Sequence, residues 1–197
     1  MEQLNLPNAL TVLRILLVPV LVVALLQGTK HGDLLAAGVF CLASFTDLLD
    51  GRIARSRGSI TTFGQLMDPV ADKLLVLAAL ISLVSLGRVA AWVAMVIIAR
   101  EFAVTALRAG AGAQGVVVPA QQWGKWKTAL QVAMVVALIL VGSGELWVDL
   151  LVYLTVTVTL ISGVDVFFGV RRTVEEARRK REERIAAKAG DEPAPKA

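Results

Sequence analysis

The chain is poor in the residues that most soluble enzymes use for chemistry. It has one cysteine, Cys41, inside an apolar run. With no second thiol, neither a disulfide framework nor a thiolate metal site can form within the chain. It has one histidine, His31, in a short polar link, which argues against a zinc site or a histidine general base. Charged residues are 18% of the chain, below the ~25% of soluble domains. No internal repeat of useful length is visible. What dominates is apolar: 56% of 197 residues, with a mean hydropathy of +0.70, against ~45–50% apolar in soluble domains. That balance points to a polytopic membrane protein. A net charge of +4 could suit nucleic acid, but the basic residues fall between apolar runs, the usual topogenic pattern. No nucleic-acid partner is expected. The N-terminal run is read as a retained helix, since Arg14 interrupts it and no small-residue cleavage site follows Leu26.

Six apolar segments can be marked, at roughly Leu10–Leu26, Leu34–Asp50, Leu66–Leu86, Val89–Leu107, Thr128–Val141 and Leu146–Val170. The links after the first, third and fifth carry little positive charge. Those after the second and fourth hold Arg52, Arg55, Arg57 and Arg108, Lys125, Lys127, and the last segment is followed by RRTVEEARRKREER. This alternation predicts an all-α protein with six transmembrane helices, both termini cytosolic. Residues 1–172 form the membrane domain, and 173–197 a charged cytosolic tail, first helical and then disordered.

Four aspartates stand close together in this apolar chain: Asp47, Asp50, Asp68 and Asp72. The apolar run before Asp47 and the run after Lys73 are each too short to span a bilayer alone. Each spans only if its helix continues through the neighbouring aspartates. Both pairs are thereby expected at the cytosolic ends of two successive helices. Pro69 then fits a first helical turn with Asp68 near the cap, or a kink above it. Spacings of three and four residues put each pair on one helical face. Carboxylates near lipid need compensation. An oxygen-only set favours a hard divalent ion, Mg²⁺ or Mn²⁺. Two such ions would neutralise the cluster and can clamp a phosphoryl group. Gly51 and Gly64 leave room for close backbone approach, and Arg55 can fork onto phosphate oxygens. Thr61 is a candidate donor-phosphate ligand or simply the start of the next helix.

The segment fits D-x2-D-G-x2-A-R-x8-G-x3-D-x3-D at all eight positions: Asp47, Asp50, Gly51, Ala54, Arg55, Gly64, Asp68 and Asp72. In this it resembles the CDP-alcohol phosphotransferase family, six-helix membrane enzymes that move a substituted phosphate from a CDP-linked donor to an alcohol and release CMP. The resemblance implies that the four aspartates bind two metal ions, that Asp72 is also the general base on the acceptor hydroxyl, and that Gly51 and Arg55 contact the CDP moiety. It puts Asn8, Thr11 and Arg14 beside the nucleotide; the plainer reading is a cap at Asn8 and a snorkelling Arg14. The runs NLPNALTVLRILLVP, IIAREFAVTALR and GKWKT resemble the bacterial branch that joins CDP-diacylglycerol to sn-glycerol 3-phosphate. The likeness extends from about Asn5 to Thr128, roughly two thirds of the chain. It further implies a homodimer in the bacterial inner (cell) membrane, with the site facing the cytosol.

An anionic acceptor is suggested independently. Arg100 and Glu101 interrupt the fourth apolar segment, and a charge within a span is a functional candidate by default. Arg108 follows at about 80° around a helix, so the two arginines can line one groove. Lys125 and Lys127 follow a glycine-rich loop, GAGAQG, that can fold back towards the site. The alternative is that Arg108, Lys125 and Lys127 only hold this side of the chain in the cytosol and that Glu101 merely pairs with an arginine. Three other functions compete: a family member using phosphatidylglycerol or a phosphorylated inositol, a divalent-cation transporter, and a scaffold whose basic tail binds anionic lipid.

Overall fold

The computed structural model describes the backbone of residues 6–57, 62–113, 115–116 and 122–190, and the side chains of 10–46, 70–71, 73–113, 115–116, 124–180 and 182–183. Among these residues there are six helices and no strand: α1 Leu6–Leu26, α2 Lys30–Arg57, α3 Thr62–Ser85, α4 Ala91–Ala113, α5 Gln122–Leu140 and α6 Leu146–Gly190. Several helices end where left-handed backbone is needed and glycine supplies it. At the end of α3, Gly87 has φ 69°, its N–H bonds the Val84 carbonyl at 3.0 Å, and the Arg88 N–H bonds the Leu83 carbonyl at 2.9 Å. This paired closure satisfies carbonyls that the helix leaves open. Gly115 closes α4 in the same manner. Helix α2 begins under a side-chain cap, with the Gly32 N–H donating to Thr29 Oγ1 at 3.0 Å.

Helix α1 packs along α2 and α3, α6 along α4 and α5, and α2 against α5. The shared core includes Leu21, Leu25, Phe40, Leu80, Ile97 and Met134. Size is sorted in an unusual sense. Alanines such as Ala24, Ala36, Ala43, Ala71 and Ala79 are buried between helices, while Leu16, Leu34, Phe45, Met95 and Phe168 face outward. Small residues let helices approach closely, and large apolar ones outside suit a lipid solvent rather than water. Among the described residues, one stretch of helix, Leu146–Lys180, is long and apolar enough to cross a membrane; Leu10–Leu26 and Lys73–Ser85 are shorter apolar stretches.

Several expectations need correction. Helix α3 starts at Thr62, so Pro69 lies in its third turn and Asp68 is not near the cap. The glycine-rich stretch is not a loop: Gly110 to Ala113 belong to α4, and Lys125 and Lys127 belong to the first turns of α5. Cys41, inside an apolar run, faces outward. Helix α6 continues without a break past Arg172, and Val174 and Ala177 pack onto a small cluster formed by Val104, Ala111, Val116, Val166 and Val170.

The turn end of the bundle is closed by a pair that charge counting passes over. Arg88, between α3 and α4, forks onto Asp33 of α2, Nη1 to Oδ1 and Nη2 to Oδ2 both at 2.8 Å. Its Nη1 also donates to the Ile139 carbonyl of α5 at 2.7 Å. One guanidinium thus ties three chain segments. Both side chains are largely shielded from water, which makes such bidentate bonds stronger than surface pairs.

Candidate active site

The turns that reverse the chain also set the level of each charged residue. Arg14 lies fourteen residues before Gly28; Asp47 and Asp50 follow that glycine by nineteen and twenty-two. Lys73 and Glu101 lie fourteen residues to either side of Gly87, and Lys127 fifteen before Gly142. At about 1.5 Å per residue these positions stand roughly 20–33 Å from the turns, at the opposite end of the bundle from Arg88. Both aspartate pairs lie within continuous helix, Asp47 and Asp50 in α2 and Asp68 and Asp72 in α3, so each pair shares a helical face. Gly51 and Arg55 belong to α2 and Gly64 to α3. The side chains of Asn8, Arg55 and the four aspartates, and the whole of Thr61, lie outside the described residues.

On α1, Thr11 and Arg14 are each only 2% exposed. Snorkelling is therefore wrong for Arg14: its side chain turns inward, on the helix that packs against both aspartate-bearing helices. Neither residue is without a partner. A buried arginine has to be compensated, so burial here ties α1 to the polar end of the bundle.

The acceptor candidates separate into two groups. Arg100, on α4, is pointed at α6: its Nη2 donates to Ser162 Oγ at 2.7 Å, and its Nη1 donates to Glu101 Oε1 at 3.3 Å. Lys127, on α5, donates to the same Glu101 oxygen. The side chains of Arg100 and Lys127 are 10% and 8% exposed. Lys73, next in sequence to Asp72, is near enough for its charge to act on Lys127. Two buried cations thus share one carboxylate, and Arg100 Nε is buried with no bonding partner among the described residues. An excess of buried positive charge is unfavourable unless an anion joins it. By contrast Arg108 and Lys125 are exposed and form no ion pair among the described residues.

Sequence reading passed over the α6 contribution. Thr155, Thr159 and Ser162 are buried, at spacings of four and three, and Gly163 follows. A Cβ on Gly163 would stand 3.2 Å from Arg100 Cγ, tight enough to push the arginine. The signal was present as a polar stripe, TVTVTLISG, on one face of an apolar span.

The oxygen-only donor set on α2 and α3, two helices that touch each other and both flank α1, fits hard divalent cations held by Asp47, Asp50, Asp68 and Asp72.

A helical membrane-type bundle with a signature of paired carboxylates on two adjacent helices defines a recognisable class. The family model for CDP-alcohol phosphatidyltransferases matches residues 4–161, and the chain belongs to that family. Its relatives include the CDP-diacylglycerol–glycerol-3-phosphate 3-phosphatidyltransferase of Bacillus subtilis, 41% identical, covering 83% of this chain and 93% of the relative. The protein of the same name from Rickettsia felis is 38% identical and covers 85% and 96%. Among solved structures, the phosphatidylinositol phosphate synthase of Mycobacterium tuberculosis, crystallised with manganese and citrate, has the same fold. It matches with a TM-score of 0.62 at 18% identity, over 83% of this chain and 81% of that one.

Proposed function

We propose that the chain transfers the phosphatidyl group of CDP-diacylglycerol to the primary hydroxyl of sn-glycerol 3-phosphate, giving phosphatidylglycerophosphate and CMP. The feature that supports this reading most is one of level: the aspartate-bearing stretches of α2 and α3 and the shielded cations of α4 and α5 all stand far along their helices from the turns that Arg88 closes. Relatives named for this reaction, at 38–41% identity over most of their length, support the choice of acceptor.

In this reading all six helices span a bacterial cell membrane, both termini and the site face the cytosol, and two copies form a dimer. The donor's acyl chains remain in lipid while its pyrophosphate meets the ends of α2 and α3. Asp47, Asp50, Asp68 and Asp72 hold two divalent ions, Mg²⁺ or Mn²⁺. When bound, these ions neutralise the pyrophosphate and the charge that grows on the leaving group. Arg55 forks onto donor phosphate oxygens, and Thr61 and the Gly51 and Gly64 backbones line the donor. Asn8, Thr11 and Arg14 lie on its nucleotide side. Arg100 and Lys127 draw the acceptor's phosphate, with Arg108 and Lys125 as an outer cationic rim that steers it inward. Asp72 accepts the proton of the attacking hydroxyl, and the CMP oxygen leaves opposite the new bond.

The experiment is CMP release by the purified protein with CDP-diacylglycerol, Mg²⁺ and a panel of acceptors. Release with glycerol 3-phosphate alone is expected. Release only with inositol phosphate or phosphatidylglycerol would reassign the acceptor, and no release with any of them would remove the reaction.

A further inference from the structure

We infer that Glu101 is a positioning residue for the acceptor's phosphate: it holds Arg100 and Lys127 as one preorganised cationic clamp. This rests on the reading above, in which those two side chains meet the phosphate of glycerol 3-phosphate. Glu101 is the only acidic group that bonds either of them among the described residues, and it bonds both, through the same Oε1. Arg100 is on α4 and Lys127 on α5, so the carboxylate also spans the gap between two helices.

A carboxylate whose only task is to fasten helices looks different, and the same molecule contains one. Asp33 meets Arg88 one to one, with both carboxylate oxygens and both Nη atoms engaged. At Glu101 the cations outnumber the anion, with Lys73 adding a further positive charge nearby. Among the described residues, Arg100 Nε is a buried donor with no partner, and Glu101 takes one of the three donors of the Lys127 ammonium. Among the described residues, the donors of Arg100 and Lys127 exceed the acceptor oxygens that Glu101 and Ser162 offer them. A phosphate monoester has both the charge and the acceptor oxygens; a neutral polyol has oxygens but no charge.

Ser162 and Gly163 of α6 complete the device. Ser162 Oγ accepts from Arg100 Nη2 at 2.7 Å, and the absent side chain at Gly163 leaves the space that Arg100 Cγ fills. Without Glu101, Arg100 and Lys127 would repel each other and regain rotamer freedom. Ordering them would then fall on the binding step. The loss should appear in acceptor affinity and leave donor affinity alone.

The test is steady-state kinetics of Glu101→Gln, reading KM for each substrate and kcat separately. Glu101→Gln is expected to raise KM for glycerol 3-phosphate about ten-fold or more and to keep KM for CDP-diacylglycerol within about two-fold. Glu101→Asp should recover part of the loss. Because Glu101 acts through Lys127, the Glu101→Gln and Lys127→Met effects on that KM should be non-additive in the double variant. An acceptor KM that is unchanged or lowered, or a rise in both KM values together, overturns the inference. If Glu101→Gln does not fold, Ser162→Ala, which removes a neutral tether of Arg100, should raise the acceptor KM alone by about three-fold; no change there overturns it equally. Failure of the wild-type protein to use glycerol 3-phosphate would sink the proposed reaction instead. The same KM comparison, made with whichever phosphorylated acceptor does work, would still decide the role of Glu101.

Discussion

The two ends of the bundle treat a buried arginine in opposite ways. At the turn end Arg88 is matched by one carboxylate, with both Asp33 oxygens and the Ile139 carbonyl all within 2.8 Å. At the other end Arg100 shares one carboxylate oxygen with Lys127 and leans on a serine, and its Nε has no partner among the described residues. The first is a closed set whose product is rigidity. The second is left open, and openness in a buried charged group is stability given up for something else. Helix geometry connects the two, because the turns fastened by Arg88 set the height of Arg100 and of the aspartate-bearing stretches of α2 and α3.

The sharpest way to separate the ends is to remove one charge from each. Asp68→Asn, on α3, should lower CMP release by about 10³-fold or more with little change in thermal stability, as expected for a group that acts on transition-state charge. Chelation of divalent ions from the wild-type protein should do the same and be reversed by added Mg²⁺ or Mn²⁺. Arg100→Met should come next, raising KM for glycerol 3-phosphate by about 10²-fold, on the scale of a lost charged hydrogen-bond pair. Arg88→Met should do the converse. It would destabilise the fold by about 2–3 kcal/mol, because Asp33 is left shielded and unpaired, while kcat/KM of the folded fraction stays within two-fold. An Arg88→Met protein that is stable but inactive would break the contrast between the two ends. The smallest effect is expected from ending the chain after Glu183. Val174 and Ala177, the tail residues that pack onto α4, are retained, so activity and stability should stay within two-fold; a large loss would move function into the tail.

Much of the fold was legible because apolar length and charge alternation are local signals. Six segments were marked and six helices occur, with Leu26 and Leu146 as shared boundaries. The requirement that α2 and α3 run through their aspartates came from span length and agrees with the helices. Errors arose where tertiary packing overrides a local cue. Pro69 resembled a helix start, yet a proline in the third turn removes only one internal bond, and Thr62 begins the helix. Glycines in GAGAQG suggested a loop, but α4 carries them to Ala113 before Gly115 turns the chain. For Arg14, expected beside the nucleotide with snorkelling as the plainer alternative, burial removes the alternative, and that burial depends on helices that a reading of α1 alone does not contain.

The site divides along the same line. The aspartate motif was readable because its chemistry is compressed into 26 residues. The Arg100–Ser162 bond joins positions 62 residues apart, and Arg88–Asp33 spans 55. No spacing rule reaches so far. Arg100 and Lys127 were singled out as charges in the wrong solvent, but Glu101 between them was read as an incidental partner. Arg108, read as able to line one groove with Arg100, is exposed where Arg100 is largely shielded.

The central claim is that one end of this bundle moves a phosphatidyl group onto glycerol 3-phosphate. It is tested most directly by following labelled glycerol 3-phosphate into lipid while CMP is counted in the same reaction. The account predicts one labelled lipid per CMP, dependent on divalent metal and absent in Asp72→Asn. CMP released without labelled lipid, or labelled lipid formed at the wild-type rate by Asp72→Asn, would contradict it.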